Sequence, residues 1–341
     1  MKLLIFGVGG FVGSNLAEHL IEQGEHEFVG VDITQEKLRG IEGPNFRFVE
    51  GNISDESLAD ELVADADVVV DLIAYANPSI YVESPLDVVR LNFFENMKIL
   101  EYCLRHQKRL IQYSTSEVYG KRTRDAEYHD NHSDLVMGPV QKQRWIYASA
   151  KQLLERIIHA HGIKGDLDYS IIRPFNFVGP RFDYLVPAGT KGGPRVFSHF
   201  LSALLTGGPI HLVDGGGQHR CFTHIEDAST AFTTILENPG GHNEIFNVGN
   251  PDTNISMKDL ATLMQDLYKD LTGIEPANEI IVIDGEEFYG KGYEDMDRVP
   301  PNVDKLMALG WKPTKGLDAI FREAIKYYID RPEMTASILS S

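Results

Sequence analysis

The stretch MKLLIFGVGGFVGSNLAEHL, residues 1–20, decides the fold. Lys2–Gly7 is a continuous apolar run of strand length, the pattern of a strand buried on both faces. From Phe11 to Gln23 the apolar residues recur at helical spacing instead. Gly7, Gly10 and Gly13 lie directly after the strand and open the helix. That spacing lets the backbone turn tightly, approach a pyrophosphate and pack the helix close to the sheet, with the phosphates on the helix N-terminus. The next strand, Glu27–Asp32, ends on a carboxylate 19 residues after Gly13. Asp32 there accepts from both ribose hydroxyls and repels a 2′-phosphate, and no Arg follows within four residues. NAD, not NADP, is the expected cofactor.

Working outward, strand and helix patterns alternate. Phe46–Glu50 reads as a short strand, Asp55–Ala64 as a helix, Asp67–Ala74 as a strand and Leu86–His106 as one long helix. Arg109–Ser114 (strand), Tyr147–His161 (helix) and Tyr169–Arg173 (strand) complete the series. The order predicts an α/β fold: a doubly wound, parallel Rossmann-type sheet with ligands outside the carboxyl ends of its strands. Past Pro174, Pro, Gly and short mixed elements take over, as in FVGPRFDYLVPAGTKGGPR and LTGGPIHLVDGGGQ. These predict a smaller C-terminal substrate-binding lobe. The expected division is 1–175 for the nucleotide-binding part, with returns to the sheet near Cys221–Leu236 and Glu244–Val248 (214–248 in all). Residues 176–213 and 249–335 then form the lobe.

Composition bounds the function classes. The chain has 341 residues, 32 Lys+Arg against 50 Asp+Glu, a net charge of −18 and 43% hydrophobic residues. This is ordinary globular composition, and its charge argues against a general nucleic-acid or membrane-surface binder. No apolar run approaches 18 residues, and the Gly-rich start is not that of a signal peptide. Two cysteines, Cys103 and Cys221, rule out a disulfide framework and a Cys-rich zinc site. A cytoplasmic setting and no metal are expected.

Tyr147 and Lys151 are four apart and share a helix face. An ammonium beside a phenol lowers its pKa from about 10 toward neutrality. Tyr147 then takes a proton from a sugar hydroxyl while hydride leaves the carbon, and Lys151 also holds the nicotinamide ribose. The strand Arg109–Ser114 delivers Thr115, Ser116 and Glu117 at its carboxyl end, where a hydroxyl shares the proton with Tyr147. Asn52 and Ile53 sit where they flank an adenine ring, or Asn52 is a simple strand-to-helix cap. The cationic set Arg144, Arg181, Arg195, Arg220 and Arg298 suits a diphosphate plus a carboxylate, although arginines in such loops also serve as surface solubilisers.

Together these motifs, with TSEVYG, YASAK and RPFNFVGPR, resemble the extended short-chain dehydrogenase/reductase superfamily over nearly the whole chain. Within it, Ser116 replaces the acid that a dehydratase needs, and Glu117 has no counterpart required by a plain 4-epimerase. The segments Ser114–Gly120, Gly138–Leu153, Ile171–Arg181, Leu212–Phe222, Ile245–Pro251 and Phe288–Arg298 more narrowly resemble UDP-glucuronate decarboxylases forming UDP-4-keto-pentose, and UDP-apiose/UDP-xylose synthases. That resemblance implies Tyr147 and Lys151 as the oxidation pair with Thr115 assisting, and Glu117 and Arg298 at decarboxylation beside Ser116. It implies substrate contacts at Ala76, Tyr81, Arg144, Asn176, Arg220 and Tyr293, with His211–Arg220 around the nucleotide. Tyr293 to Arg298 is five residues where the family usually has six. The cofactor contacts expected are Gly7, Gly10, Phe11, Val12, Gly13, Asp32, Ile33, Asn52, Ile53, Leu72, Ala74, Ser114 and Pro174, with Tyr147 and Lys151.

The expected reaction is NAD-dependent loss of CO₂ from UDP-glucuronate, giving UDP-4-keto-pentose, UDP-xylose or UDP-apiose. A UDP-uronate 4-epimerase is the rival on the same scaffold. A non-catalytic NAD sensor is the rival of another class, and it has no use for Tyr147, Lys151 or Glu117. The superfamily resemblance also implies a homodimer through the helices Leu86–His106 and Tyr147–His161.

Overall fold

A computed structural model of the chain describes residues 1–122, 126–182, 184–187, 189–296 and 298–339. Six strands come first: β1 (Lys2–Phe6), β2 (Glu27–Asp32), β3 (Phe46–Glu50), β4 (Val68–Asp71), β5 (Arg109–Tyr113) and β6 (Tyr169–Pro174). Between and after them run α1 (Phe11–Gln23), α2 (Glu56–Asp65), α3 (Pro78–Glu83), α4 (Pro85–Val89), α5 (Asn96–His106) and α6 (Ile146–Lys164). The remaining strands are β7 (Phe177–Val178), β8 (Ile210–Val213), β9 (His219–Cys221), β10 (Thr223–His224), β11 (Glu244–Val248), β12 (Asn254–Ser256) and β13 (Ile280–Ile283). The later helices that bear on the site are α7 (Val196–Thr206), α8 (Ile225–Glu237) and α9 (Met257–Thr272).

The main sheet has seven strands in the order β11-β6-β5-β4-β1-β2-β3, all parallel. Alternation along β1 sends Leu3 and Ile5 to one core, with Leu16 and Leu20 of α1 and Phe232 and Ile235 of α8. Leu4 and Phe6 go to the other, with Val63 of α2, Leu100 of α5 and Leu154 of α6. A strand apolar on both faces is therefore covered on both. The chain runs outward to β3 and then crosses back to place β4 beside β1, opening a crevice at the strands' carboxyl ends.

Two expected elements are corrected. The helix anticipated over Leu86–His106 is broken by a π-helical turn at Arg90–Glu95 and preceded by α3. The widened turn turns Asn92 and Asn96 toward the loop after β4: Asn92 Nδ2 donates to Tyr75 O and Asn96 Nδ2 to Ile73 O. Of Cys221–Leu236, only β10 is a strand wholly within it, and it pairs with β7 in a separate two-stranded sheet. The rest is α8, whose Ile225, Ala228, Phe232 and Ile235 are buried at helical spacing. Glu244–Val248 does return, as the edge strand β11. The pairs β8·β13 and β9·β12 form two further small sheets, whose His211, Leu212, Val213 and Arg220 line the cavity that also holds Glu117. Among the described residues no helix is long and apolar enough to cross a membrane. Cys103 and Cys221 are free and buried.

Candidate active site

The nucleotide turn is built as a cradle. A Cβ on Gly13 would lie 2.4 Å from Gly7 O, so only glycine lets α1 sit this close to β1. No side chain caps α1 and its first turn holds no acid, so its free N–H groups and positive end face outward. Asp32 closes the other side: its carboxylate accepts from Gly9 N–H at 2.9 Å and Thr34 N–H at 3.2 Å. Gly9, absent from the three glycines singled out in the sequence, is thus the anchor of that carboxylate, and a Cβ there would meet Thr34 O at 2.1 Å. Burial lifts the Asp32 carboxyl above its ordinary value against these backbone bonds. The close glycine backbone, the bare helix end and the strand-end carboxylate fit a dinucleotide with a free ribose.

Two adjoining cavities of about 980 and 750 Å³ meet in front of this turn. They share Ala76, Glu117, Asn176, Phe177, Arg195 and Arg298. Val12, Leu72, Ala74, Ser114, Tyr147 and Pro174 line the second, beside the cradle. Tyr81 joins them there, while Arg144, Arg220 and Tyr293 line the first. Phe11 packs edge-on against Phe182, and Ile53 lies in the core. Ile33 is 67% exposed beyond the end of β2. Asn52 Oδ1 accepts from Ser54 N–H and Oγ–H, a turn of its own, while Asp55 is the residue that caps α2.

At the junction of the two cavities Thr115 caps the short turn Ser116–Tyr119, its Oγ1 accepting from Glu117 N–H at 3.1 Å. The turn aims the Glu117 carboxylate at two buried guanidiniums. Arg144 donates from Nη1 to Oε2 at 2.5 Å and from Nη2 to Oε1 at 3.3 Å. Arg298 brings Nη2 to 3.2 Å from Oε1 and donates from Nη1 to Ser116 Oγ at 2.8 Å. Burial alone would raise the Glu117 carboxyl; Arg144 and Arg298 overcome it and hold it at about 2. The five-residue spacing from Tyr293 therefore still delivers Arg298 to Glu117. Asp297 lies outside the described residues.

Tyr147 is buried and its ring stacks on Tyr81, centroids 4.7 Å apart and 11° from parallel. Burial and then Glu117 push its phenol above the ordinary value, against a hydrogen bond with Thr115 and the charges of Arg195 and Arg298. Here the expectation of a phenol lowered by Lys151 is corrected. Lys151 Nζ donates to Asn96 Oδ1 and Tyr113 O, and its ammonium is not among the leading influences on Tyr147. Arg181 is also placed elsewhere: its Nη2 donates to Asn15 Oδ1 and pairs with Glu18 of α1, and it lines neither cavity.

Asp295 was not singled out in the sequence, though it lies within the quoted Phe288–Arg298 segment. It accepts from Arg220 Nη2 at 2.5 Å and from Gln218 Nε2 at 2.7 Å, tying the loop before Arg298 to the β8–β9 connection. Tyr289 stacks on Tyr293 at 4.4 Å along the same wall. Asn176, at φ +41°, donates from Nδ2 to Cys221 O at 2.8 Å.

Comparison with known proteins agrees with this geometry. The model of the NAD dependent epimerase/dehydratase family matches residues 3–249. The PbgP3 protein from Burkholderia pseudomallei is similar at 33% identity and a TM-score of 0.86, covering 99% of this chain and 98% of that one. Two further structures share the fold. The dTDP-glucose 4,6-dehydratase from Bacillus anthracis, in complex with NAD, is 20% identical at a TM-score of 0.80, covering 98% of each chain. The UDP-glucuronic acid 4-epimerase from Bacillus cereus, in complex with UDP-glucuronic acid and NAD, is 22% identical at a TM-score of 0.79, covering 97% of this chain and 99% of that one. With its nucleotide cradle, its tyrosine–lysine helix and this match over most of its length, the chain belongs to the NAD dependent epimerase/dehydratase family, takes NAD as cofactor and is an enzyme of the extended short-chain dehydrogenase/reductase type.

Proposed function

We propose that the protein decarboxylates UDP-glucuronate, with the substrate lobe formed by 176–213 and 249–335 and the work carried out in the cytoplasm. One observation carries this reading: the Glu117 carboxylate held between Arg144 and Arg298 where the two cavities meet. Arg144, Arg195, Arg220 and Arg298 line the two cavities, a cationic set suited to an anionic sugar nucleotide. Asp295 orients Arg220 on the same wall, toward the diphosphate.

Bound NAD supplies the hydride acceptor for oxidation at C4 of the sugar. Tyr147, hydrogen-bonded with Thr115, takes the C4 hydroxyl proton. The resulting ketone lies β to the C5 carboxylate, so the bond to that carboxylate breaks with its electron pair entering the enolate, and CO₂ leaves. Tyr147 and Thr115 donate to the enolate oxygen. Arg298, made more acidic by burial and held in place by Glu117, then passes a proton to C5 and regains one from water, completing a 4-keto-pentose.

The same arginines also suit a UDP-glucuronate 4-epimerase, which would retain the carboxylate. Incubation with UDP-glucuronate and NAD, read by the mass of the sugar nucleotide, separates the two: loss of one CO₂ supports the decarboxylase, and an unchanged mass with inverted C4 the epimerase.

We also infer a homodimer through α4–α5 and α6. Phe94 is 58% and Leu153 48% exposed on those elements, apolar surface that a partner copy would cover.

A further inference from the structure

Beneath the cleft, hydrogen bonds close into a ring around the Lys151 ammonium. Lys151 Nζ donates to Asn96 Oδ1 at 3.3 Å and to Tyr113 O at 3.1 Å. Asn96 Nδ2 donates to Ile73 O at 3.3 Å, and Ile73 N–H donates to Asp71 Oδ1 at 2.9 Å. Asp71 Oδ2 accepts from Gln112 Nε2 at 2.9 Å. The same amide donates to Tyr113 O at 3.2 Å, the carbonyl that Lys151 also uses, and the ring is complete. Its four side chains, Asp71, Asn96, Gln112 and Lys151, are each at most 1% exposed. Asp71 and Gln112 are direct neighbours across β4 and β5, so the sheet register itself sets their contact.

Neither Asp71 nor Gln112 lines the cleft, and the chemistry proposed above uses neither. A carboxylate buried this completely is strongly unfavourable unless charge or hydrogen bonds compensate it. The compensation is Lys151, reached through the Gln112 amide and the shared carbonyl. Burial raises the Asp71 carboxyl and lowers the Lys151 ammonium, and each opposes that change in the other. The other charged group acting on Lys151 is Glu155, one turn along α6 and paired with Arg173. Tyr147 lies one turn back on the same helix. Facing Asp71 from α5 is the Cys103 thiol, which burial and then Asp71 push well above its ordinary range.

We propose that Asp71 and Gln112 are positioning residues for Lys151, the carboxylate keeping the ammonium charged and the amide and shared carbonyl keeping it at the end of β5, one turn from Tyr147 and placed to hold the nicotinamide ribose. This rests on Tyr147 and Lys151 being the oxidation pair.

The test uses the full chain with NAD bound, comparing Asp71→Asn, Gln112→Met and the exchange Asp71→Asn/Gln112→Glu, which returns a carboxylate to the ring. The readouts are kcat and KM for UDP-glucuronate across pH, and ¹³Cε-lysine NMR with the Lys151 resonance assigned through Lys151→Met. Asp71→Asn is expected to lower kcat about tenfold or more at neutral pH, with KM within about twofold. Lys151 should lose its proton at lower pH in that variant, and the exchange should recover most of the rate. Wild-type kcat and an unmoved Lys151 titration in both single variants would overturn the proposal. So would a loss of rate with no movement of that resonance and no rescue, the signature of a merely structural role. If Asp71→Asn does not fold, Gln112→Met carries the same readouts. If wild-type enzyme leaves UDP-glucuronate untouched, a Lys151 resonance moved by Asp71→Asn sustains the ring while the substrate assignment falls, and an unmoved one overturns the ring as well.

Discussion

Arg298 Nη2 stands 3.2 Å from Glu117 Oε1, although one residue comes from the turn after β5 and the other from a loop near the end of the chain. Arg144 holds the opposite side of the same carboxylate. Removing its charge while keeping its shape isolates what Glu117 does. Glu117→Gln should lower CO₂ release by about 10²-fold or more, because the carboxylate that holds the proton-donating Arg298 in place is lost. Binding of UDP-glucuronate should be no weaker, because the variant frees two guanidiniums. Calorimetric titration beside a rate measurement checks both halves.

The Tyr147 phenol lies above its ordinary value, chiefly through burial and then Glu117. A raised pKa leaves the phenol protonated at neutral pH, so its base form grows about tenfold for each pH unit. The expected profile of kcat/KM therefore climbs with a slope of about one from roughly pH 6 to 9. Glu117, held at about 2, stays ionised throughout and adds no acid limb. Tyr147→Phe should abolish the slope along with the activity. A flat profile over this range contradicts the assignment.

Arg181 offers a contrast among the arginines. Its partners are Asn15 and Glu18 on α1. Arg181→Ala should leave KM for the sugar nucleotide within about twofold, while the same change at Arg220 should raise it about tenfold or more. Thermal unfolding should register Arg181→Ala as a loss of about 1 kcal/mol, the scale of a partly exposed charged hydrogen bond.

Phe94 and Leu153, exposed on the elements inferred to pair, give a test of the assembly state. Phe94→Asp combined with Leu153→Arg should convert a dimer into a monomer by light scattering at micromolar concentration. A wild-type protein that is already monomeric there contradicts the dimer.

What the sequence made legible was local. In β1, the glycine turn, α1 and β2, each element follows its neighbour directly, so spacing alone shows both the tight turn at Gly13 and the strand-end carboxylate of Asp32. The turn Thr115–Glu117 was legible for the same reason, as the end of a strand. Contacts made across the chain were not. The π-helical turn adds no break in apolar spacing long enough to notice, yet Asn92 within it and Asn96 just after it reach the loop after β4. Lys151 was paired with Tyr147 because the two are one turn apart, whereas its hydrogen-bond acceptors come from α5 and β5. Arg181 sits in a run of expected substrate residues, but its backbone at φ +60° accompanies a side chain that reaches α1. The strand β13 pairs with β8 across more than sixty residues, a partnership no local pattern announces.

The central claim is that the Glu117–Arg298 pair serves the loss of a carboxylate, not the inversion of a hydroxyl. UDP-glucuronate labelled with ¹³C at C6, incubated with the enzyme and NAD, tests it most directly. The account predicts that the label leaves as CO₂ and bicarbonate at the rate at which UDP-glucuronate disappears, and that Glu117→Gln slows its release about 10²-fold or more. Label that remains in a sugar nucleotide inverted at C4 would contradict it and assign the same arginines to holding, not expelling, the carboxylate.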